Sequence, residues 1–158
     1  MTNRQWMRAA CAVPFLLILA AACAAPRARL PVQSYVTSTK ALLPLGPLQL
    51  SNTVLQLGAL KGEMKLEFAG IMPESAGADM AGASIYRVKN ADAFFKKNAG
   101  KDAFCTENPL WVAVSSTTGA PAWSREIWVG LLTLENWAKF THAVDRVCLG
   151  GDYVRTAQ

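Results

Sequence analysis

The chain has 158 residues, of which 52% are hydrophobic and 17% charged, and its formal net charge is +5. Such a composition excludes an intrinsically disordered chain, which would be poorer in apolar residues, and the length suits a single domain. The basic residues are scattered rather than clustered between aromatic residues, so we predict no nucleic acid among the partners.

The first segment, residues 1–22, has the three parts of a secretory signal peptide. Arg4 and Arg8 charge its start, residues 11–19 form an apolar run, and small residues follow. The apolar run is shorter than the ~20 residues that cross a bilayer as a helix, and no later run is long enough. We therefore predict that the leader is removed and that the mature protein has no membrane-spanning segment.

Cys23 follows this leader. Residues 20–23, Ala-Ala-Ala-Cys, resemble a bacterial lipoprotein box, with the aliphatic Leu19 one position before the place that the box gives it. The resemblance implies cleavage before Cys23 and acylation of that residue as a lipid anchor. Since Ala24 rather than Asp follows, the resemblance also implies transport to the outer membrane, facing the periplasm. The alternative is an ordinary A-x-A cleavage, which would give a soluble periplasmic or secreted protein.

Residues 24–47 contain several prolines, alanines and small polar residues without a clear period. This composition is typical of an extended linker. We therefore divide the mature chain into a lipid anchor and flexible tether over 23–47 and a β-rich globular domain over 48–158.

The domain begins with patterns typical of short strands. Residues 48–57 are β-like, with a change of face near Ser51-Asn52 that predicts a bulge, and residues 64–68 alternate apolar and charged side chains. We predict that these two runs form a hairpin and that residues 84–88 form a further strand after a glycine-rich loop.

The middle of the domain combines a helix with a buried strand. Residues 91–98 are predicted to form a helix, with Asn90 as its N-cap and Gly100 as its stop. Residues 110–114 are apolar throughout, which predicts a strand buried on both faces.

The last part of the chain completes the fold prediction. We expect an apolar strand over 126–132, a short helix over 133–140, and a final strand over 144–155 that bends or bulges at Gly150-Gly151. The sum is a mainly β fold, a small antiparallel sandwich or curled sheet with two short helices. An open α+β sheet is the alternative.

Cys105 and Cys148 each flank a predicted strand, and we predict that they form a structural disulfide. Since Cys11 leaves with the signal peptide, this pairing leaves Cys23 as an odd thiol, which acylation would explain. The chain has no C-x-x-C motif and no histidine near either cysteine. We therefore predict no metal and no cofactor.

The residues that carry common enzyme chemistry do not form a set in this sequence. His142 is the only histidine, and no serine stands in a G-x-S-x-G motif. Glu63 and Glu67 would lie about 13 Å apart along a strand, beyond the usual separation of catalytic carboxylates. We predict that the protein is not an enzyme.

The tryptophans fall into two groups. Trp111 and Trp128 lie in apolar strands and are predicted to be in the core. Trp123 follows Pro121 in a turn, and an aromatic side chain on a loop often marks a contact surface. Trp123 is therefore our candidate contact residue.

Part of the domain resembles a known kind of protein. The pattern is Phe104-Cys105, then Trp-Val-Ala-Val at 111–114, then Val147-Cys148. It is similar to the domain of many small proteobacterial lipoproteins, in which one cysteine precedes a strand and the other opens the last strand. The likeness implies an architecture and assigns no activity. Envelope inhibitors of lysozyme also combine a lipid anchor, a small β-barrel and a disulfide, but residues 82–86 do not match their Ser-Gly-x-x-Tyr signature.

The sequence as a whole predicts a cell-envelope lipoprotein that acts as a non-enzymatic binding or assembly module. Its expected partners are the outer membrane, through the lipid on Cys23, and another envelope protein. The alternative function is inhibition of an envelope hydrolase such as lysozyme or a protease.

Overall fold

The computed structural model describes residues 29–74, 80–101, 104–116, 125–139 and 147–156. The predicted signal peptide and three of the residues singled out above lie outside the described residues; these are Cys23, Trp123 and His142.

The fold is an eight-stranded antiparallel barrel. Each strand pairs with the next along the chain, and the last strand pairs with the first. The strands are β1 (Gln33–Thr37), β2 (Leu48–Leu50), β3 (Val54–Leu57), β4 (Met64–Ile71), β5 (Ser84–Val88), β6 (Trp111–Ser116), β7 (Glu126–Leu132) and β8 (Val147–Arg155). The predicted mainly β, antiparallel fold is confirmed, and the curled sheet is closed.

One α-helix and two short 3-10 helices complete the described part of the chain. The α-helix, α1, spans Ala91–Asn98, as the sequence predicts. The first 3-10 helix is Lys40–Leu45 and the second is Trp137–Lys139. The second replaces the helix predicted over 133–140, of which residue 140 lies outside the described residues.

The barrel interior is filled by the protein's own side chains. Strand residues alternate between the two faces of the sheet, and the inward ones form one continuous cluster. Its largest fully buried members include Tyr35, Tyr86, Tyr153, Phe94, Leu48, Leu55 and Met64. Burial of this apolar surface is the main source of the barrel's stability.

A second apolar cluster lies on the outside of the barrel wall. Its buried members are Met72, Met80, Ala83, Ile85, Ala113 and Leu132. Ala113 faces this cluster while Val112 and Val114 face the interior, so β6 is buried on both sides, as predicted. Trp111 and Trp128, which the sequence places in the core, instead pack partly buried against this outer cluster.

The predicted flexible tether is too long. β1 lies inside it and pairs with both β2 and β8, and the first 3-10 helix follows. Tyr35, Leu42 and Leu45 from this segment are buried in the core. The prolines suggested a linker, yet Pro44 lies within the 3-10 helix and the other prolines lie outside β1. The barrel therefore begins at Gln33.

The change of face near Ser51 is a chain reversal, not a bulge. The Ser51 side-chain oxygen accepts hydrogen bonds from the backbone N–H of Thr53 (3.2 Å) and of Val54 (3.1 Å). This local bonding separates β2 from β3. The run predicted as one strand of a hairpin is therefore a hairpin itself.

The predicted bend at Gly150-Gly151 is also wrong. Gly150 pairs with Gly130 and Gly151 with Val129 in regular register. The irregularity in this strand pair falls between Leu131 and Leu132 instead. Residues 144–146 of the predicted strand lie outside the described residues.

The two ends of the barrel differ. We call the end where β1, β3, β5 and β7 finish the capped end, because the first 3-10 helix and α1 lie there. Leu42 and Leu45 of the 3-10 helix and Phe94 of α1 enter the interior cluster at this end. We call the opposite end, where β1 begins, the N-terminal end.

Candidate functional site

A cleft of about 470 Å³ lies on the outside of the capped end. The end of β5, the first turn of α1, the start of β6 and the segment after β7 surround it. Its polar and aromatic lining consists of Arg87, Lys89, Asn90, Asp92, Trp111 and Glu135. Arg87 and Trp111 point outward because their neighbours Val88 and Val112 face the barrel interior.

The floor of the cleft is a cross-strand pair with a fixed indole. Arg87 on β5 lies directly opposite Trp111 on β6. The Trp111 indole N–H donates a hydrogen bond to the Leu134 carbonyl at 2.8 Å. This bond holds the ring and also places Glu135, the next residue, at the edge of the cleft.

The wall formed by α1 is held by two asparagines. The Asn90 amide oxygen accepts from the Lys65 backbone N–H at 2.8 Å, and its NH2 donates to the Glu63 carbonyl at 2.9 Å. Asn90 occupies the N-cap position but makes no side-chain capping bond, because its amide is used by the β3–β4 connection and β4. The sequence predicted its position correctly and its hydrogen bonds wrongly.

Asn98 at the other end of α1 acts in the same way and is fully buried. Its amide oxygen accepts from the Lys61 N–H at 2.9 Å, while its NH2 donates to the Lys61 and Phe94 carbonyls at 3.2 and 3.0 Å. α1 is therefore tied to the β3–β4 connection at both of its ends, and these hydrogen bonds fix the position of the cleft wall.

One side of the cleft carries an ion pair. Lys89 Nζ lies 2.9 Å from Glu67 Oε2, and the hydrogen bond and charge of Lys89 hold the pKa of Glu67 below its usual range. Arg87 lowers that pKa further. Both members of the pair are more than half exposed, so the pair contributes little to stability. Its effect is to position the Lys89 ammonium group beside the cleft.

The other side carries carboxylates. Asp92 accepts a hydrogen bond from the Asn108 NH2 group. The Asn108 amide oxygen is buried and has no hydrogen-bond partner among the described residues. Glu135 is exposed at the rim. The cleft therefore presents charges of both signs around one fixed indole.

The predicted disulfide between Cys105 and Cys148 is present, with 5.3 Å between the two Cα atoms. It ties the connection between α1 and β6 to the start of β8. Phe104, beside it, packs its ring against Phe94 and Phe95 at centroid distances of 5.9 and 6.3 Å. The disulfide and these rings together fix α1, and with it one wall of the cleft.

The buried tyrosines of the interior have structural roles. Burial raises the pKa of Tyr153 to about 12 and raises the pKa of Tyr35 as well. The Tyr35 hydroxyl donates to Gln33 Oε1 at 3.0 Å, and Arg155 donates to the same oxygen at 3.1 Å. These phenols are neutral at physiological pH, and both rings belong to the buried core.

Sequence reasoning missed the cleft. Arg87, Lys89 and Glu135 each have the sequence context of an ordinary surface charge. Only the barrel register brings them around one indole. In the described ranges, no group of three or more histidine, cysteine, aspartate or glutamate side chains is placed to hold a metal ion.

No protein-family model, curated protein or solved structure shows significant similarity to the chain. Within the part of the chain that the structure describes, no helix has the length and apolar character needed to cross a membrane.

Proposed function

We propose that the protein is a non-enzymatic binding module of the bacterial cell envelope. In this proposal, residues 1–22 export the chain and Cys23 carries the lipid that anchors it in the outer membrane. Two features support export: the tripartite leader, and a disulfide in the folded domain, since disulfides persist in oxidising compartments.

The observation that carries the binding role is the contrast between the filled barrel and the outer cleft. The inward side chains form one continuous core, so recognition falls to the outer surface. Tryptophan and arginine are the residues most enriched at the energetic centres of protein interfaces, and Trp111 and Arg87 form the cleft floor. Because a hydrogen bond already fixes the Trp111 indole, this ring loses little side-chain entropy on binding.

The mixed charges of the cleft favour a polar protein partner. Arg87 and Lys89 can pair with carboxylates, while Glu135 can pair with a lysine or arginine. A partner segment with charges of both signs around an apolar or aromatic side chain fits this arrangement.

Affinity capture from envelope extracts of the native host tests the proposal. We expect the unaltered protein to retain a specific envelope protein and Arg87→Glu to lose it, because reversing the charge places like charges opposite each other. Lys97→Glu is the matched control, since Lys97 is exposed on α1 but does not line the cleft. Loss of about 1.4 kcal/mol of binding free energy lowers the affinity tenfold, which reduces the amount of partner retained. Equal retention by both variants contradicts a role for the cleft.

Inhibition of an envelope hydrolase is a more specific version of the proposed binding function. The layout of an anchor, a small barrel and one disulfide resembles that of envelope lysozyme inhibitors. Capture of one hydrolase, with its activity reduced by the unaltered protein but not by Arg87→Glu, favours this form. Capture of an outer-membrane complex favours assembly. Substrate turnover by the protein itself that disappears in His142→Ala overturns the non-enzymatic proposal.

The anchor has its own test. Cys23→Ser should abolish metabolic labelling of the protein with fatty acid. Unchanged labelling contradicts the assignment of Cys23 as the lipid anchor.

A further inference from the structure

The chain between the proposed lipid anchor and the N-terminal end of the barrel is short. The Leu30 backbone N–H donates a hydrogen bond to Asn52 Oδ1 at 3.1 Å, and Asn52 lies in the turn between β2 and β3 at this end. Seven residue steps from Cys23 to Leu30 span at most about 25 Å, even when the chain is fully extended. An anchor on Cys23 therefore keeps this end within about 25 Å of the membrane surface.

Exposed apolar side chains are concentrated at the same end. The large hydrophobic residues exposed within the described ranges are Leu30 (37%), Val32 (53%), Val36 (48%), Leu43 (58%) and Ile71 (50%). Leu30 and Val32 precede β1, and Ile71 ends β4. These three residues, which we call the apolar rim, all belong to the N-terminal end. Val36 lies on the outer wall, and Leu43 lies at the capped end.

The described residues at this end carry charges of both signs. Arg29, Arg125 and Arg155 lie there, but so do Glu74 and Glu126. Among the described residues of this end the charges nearly cancel, so the exposed apolar side chains are its distinguishing feature.

We propose that the apolar rim rests on the phospholipid surface in which Cys23 is anchored. The inference depends on the proposed lipid anchor. A bilayer is the favoured occupant because the tether brings it within reach. Three side chains also cover far less than the roughly 1,200 Å² that a stable protein interface buries. A small apolar contact is effective as a second membrane signal beside a lipid chain, since lipid anchoring is strengthened by an additional signal.

The contact orients the molecule. With the apolar rim on the membrane, the capped end and its cleft face away from the bilayer. β8 has nine residues, a length of roughly 30 Å along the strand. The cleft is then presented to partners, or parts of partners, that lie in the periplasm roughly one strand length from the membrane surface.

A fluorophore placed at either end of the lipidated full-length protein tests this orientation. Ile71→Cys introduces a thiol in the apolar rim, and Leu43→Cys is the matched control because Leu43, at the capped end, is also more than a third exposed. Only the new thiol reacts with a maleimide dye, because Cys105 and Cys148 are joined and the lipid occupies Cys23. The labelled proteins are reconstituted on phosphatidylethanolamine–phosphatidylglycerol vesicles with or without nitroxide-labelled lipid.

We expect nitroxide lipid to cause a large loss of fluorescence at position 71 and little loss at position 43. Equal loss at the two positions, or greater loss at 43, overturns the proposed orientation. The mass of each protein is measured first. If the acyl mass is absent, the proposed anchor fails and this inference fails with it. If the acyl mass is present without the contrast in quenching, this inference alone fails.

Discussion

At the scale of single residues, glycines in this barrel provide space for tryptophan rings. A Cβ atom added at Gly150 would lie 2.7 Å from Trp128 Cζ2, and one at Gly70 would lie 2.6 Å from Trp137 Cη2. Both distances are shorter than side-chain carbons tolerate. The sequence shows glycines in strands but not the rings above them, which is why Gly150-Gly151 suggested a bend. The glycines instead allow the Trp128 and Trp137 rings to approach the backbone of the barrel wall closely.

Gly70→Ala should destabilise the protein because the new methyl group overlaps the Trp137 ring. We expect the free energy of unfolding in urea to fall by about 1–3 kcal/mol. In a Trp137→Ala background the same substitution should cost much less, because the overlapping ring is gone. An equal loss in both backgrounds would show that the contact with Trp137 is not the reason for glycine at position 70.

Tyr153 should make the fold sensitive to alkaline pH. Burial raises the pKa of this phenol to about 12 in the folded state, whereas an exposed tyrosine ionises near pH 10. Above pH 10 the unfolded chain loses the proton and the folded chain retains it. The contribution of Tyr153 to the free energy of unfolding is therefore constant below about pH 10 and falls by about 1.4 kcal/mol per pH unit up to about pH 12.

Tyr153→Phe removes this ionisation and leaves the ring in place. Urea unfolding measured from pH 8 to pH 12 should show a shallower alkaline loss of stability in Tyr153→Phe than in the unaltered protein. Parallel pH profiles would mean that the Tyr153 phenol is not responsible for the alkaline loss.

At the scale of elements, the sequence was most informative about α1 and least informative about what holds it. Asn90 and Gly100 predicted the position of the helix and its ends, because capping and stop signals are local. The partners of Asn98 could not be predicted, since Lys61 lies 37 residues away in the chain. The first turn of α1 is one wall of the cleft, so that wall depends on contacts that have no local signal.

Asn98→Ala should be more damaging than Asn90→Ala. The Asn98 amide is fully buried and makes three hydrogen bonds, so its removal leaves backbone groups without partners. We expect a loss of about 3 kcal/mol in unfolding free energy for Asn98→Ala and about 1 kcal/mol for Asn90→Ala, which is partly solvated. Equal losses in urea unfolding would contradict the role of burial.

The disulfide is the covalent link between two elements. Cys105 and Cys148 are separated by 43 residues, so the bond closes a long loop in the unfolded chain. In the chain-entropy model such a loop contributes about 4 kcal/mol to stability. The Cys105→Ser/Cys148→Ser double variant should lose about that amount in urea unfolding. A loss below about 1 kcal/mol would mean that strain or residual structure offsets the entropic effect.

At the scale of the whole molecule, the sequence predicted the class of fold and missed its closure. The strands β5 and β7 have the predicted bounds, because their apolar runs end at clear turn signals. Closure depends on β1, which pairs with β8 through Thr37 and Tyr153 and with β2 through Tyr35 and Leu48. The β1–β8 pair joins the two ends of the domain's sequence, and the prolines around β1 made the segment resemble a linker. The cleft could not be predicted for the same reason, because its residues are brought together only by the pairing register of the strands.

The proposed export determines the surroundings of the whole molecule. An exported, lipidated chain would fold as a barrel close to its membrane, with its disulfide formed and its cleft directed toward the periplasm. The membrane proximity and the orientation depend on acylation of Cys23, and the disulfide depends on an oxidising compartment.

Mass spectrometry of the intact protein purified from its native host tests this account most directly. The account predicts a chain that begins at an acylated Cys23 and whose Cys105 and Cys148 thiols resist alkylation unless they are first reduced. A chain that retains residues 1–22, lacks an acyl group and has both thiols free would contradict it.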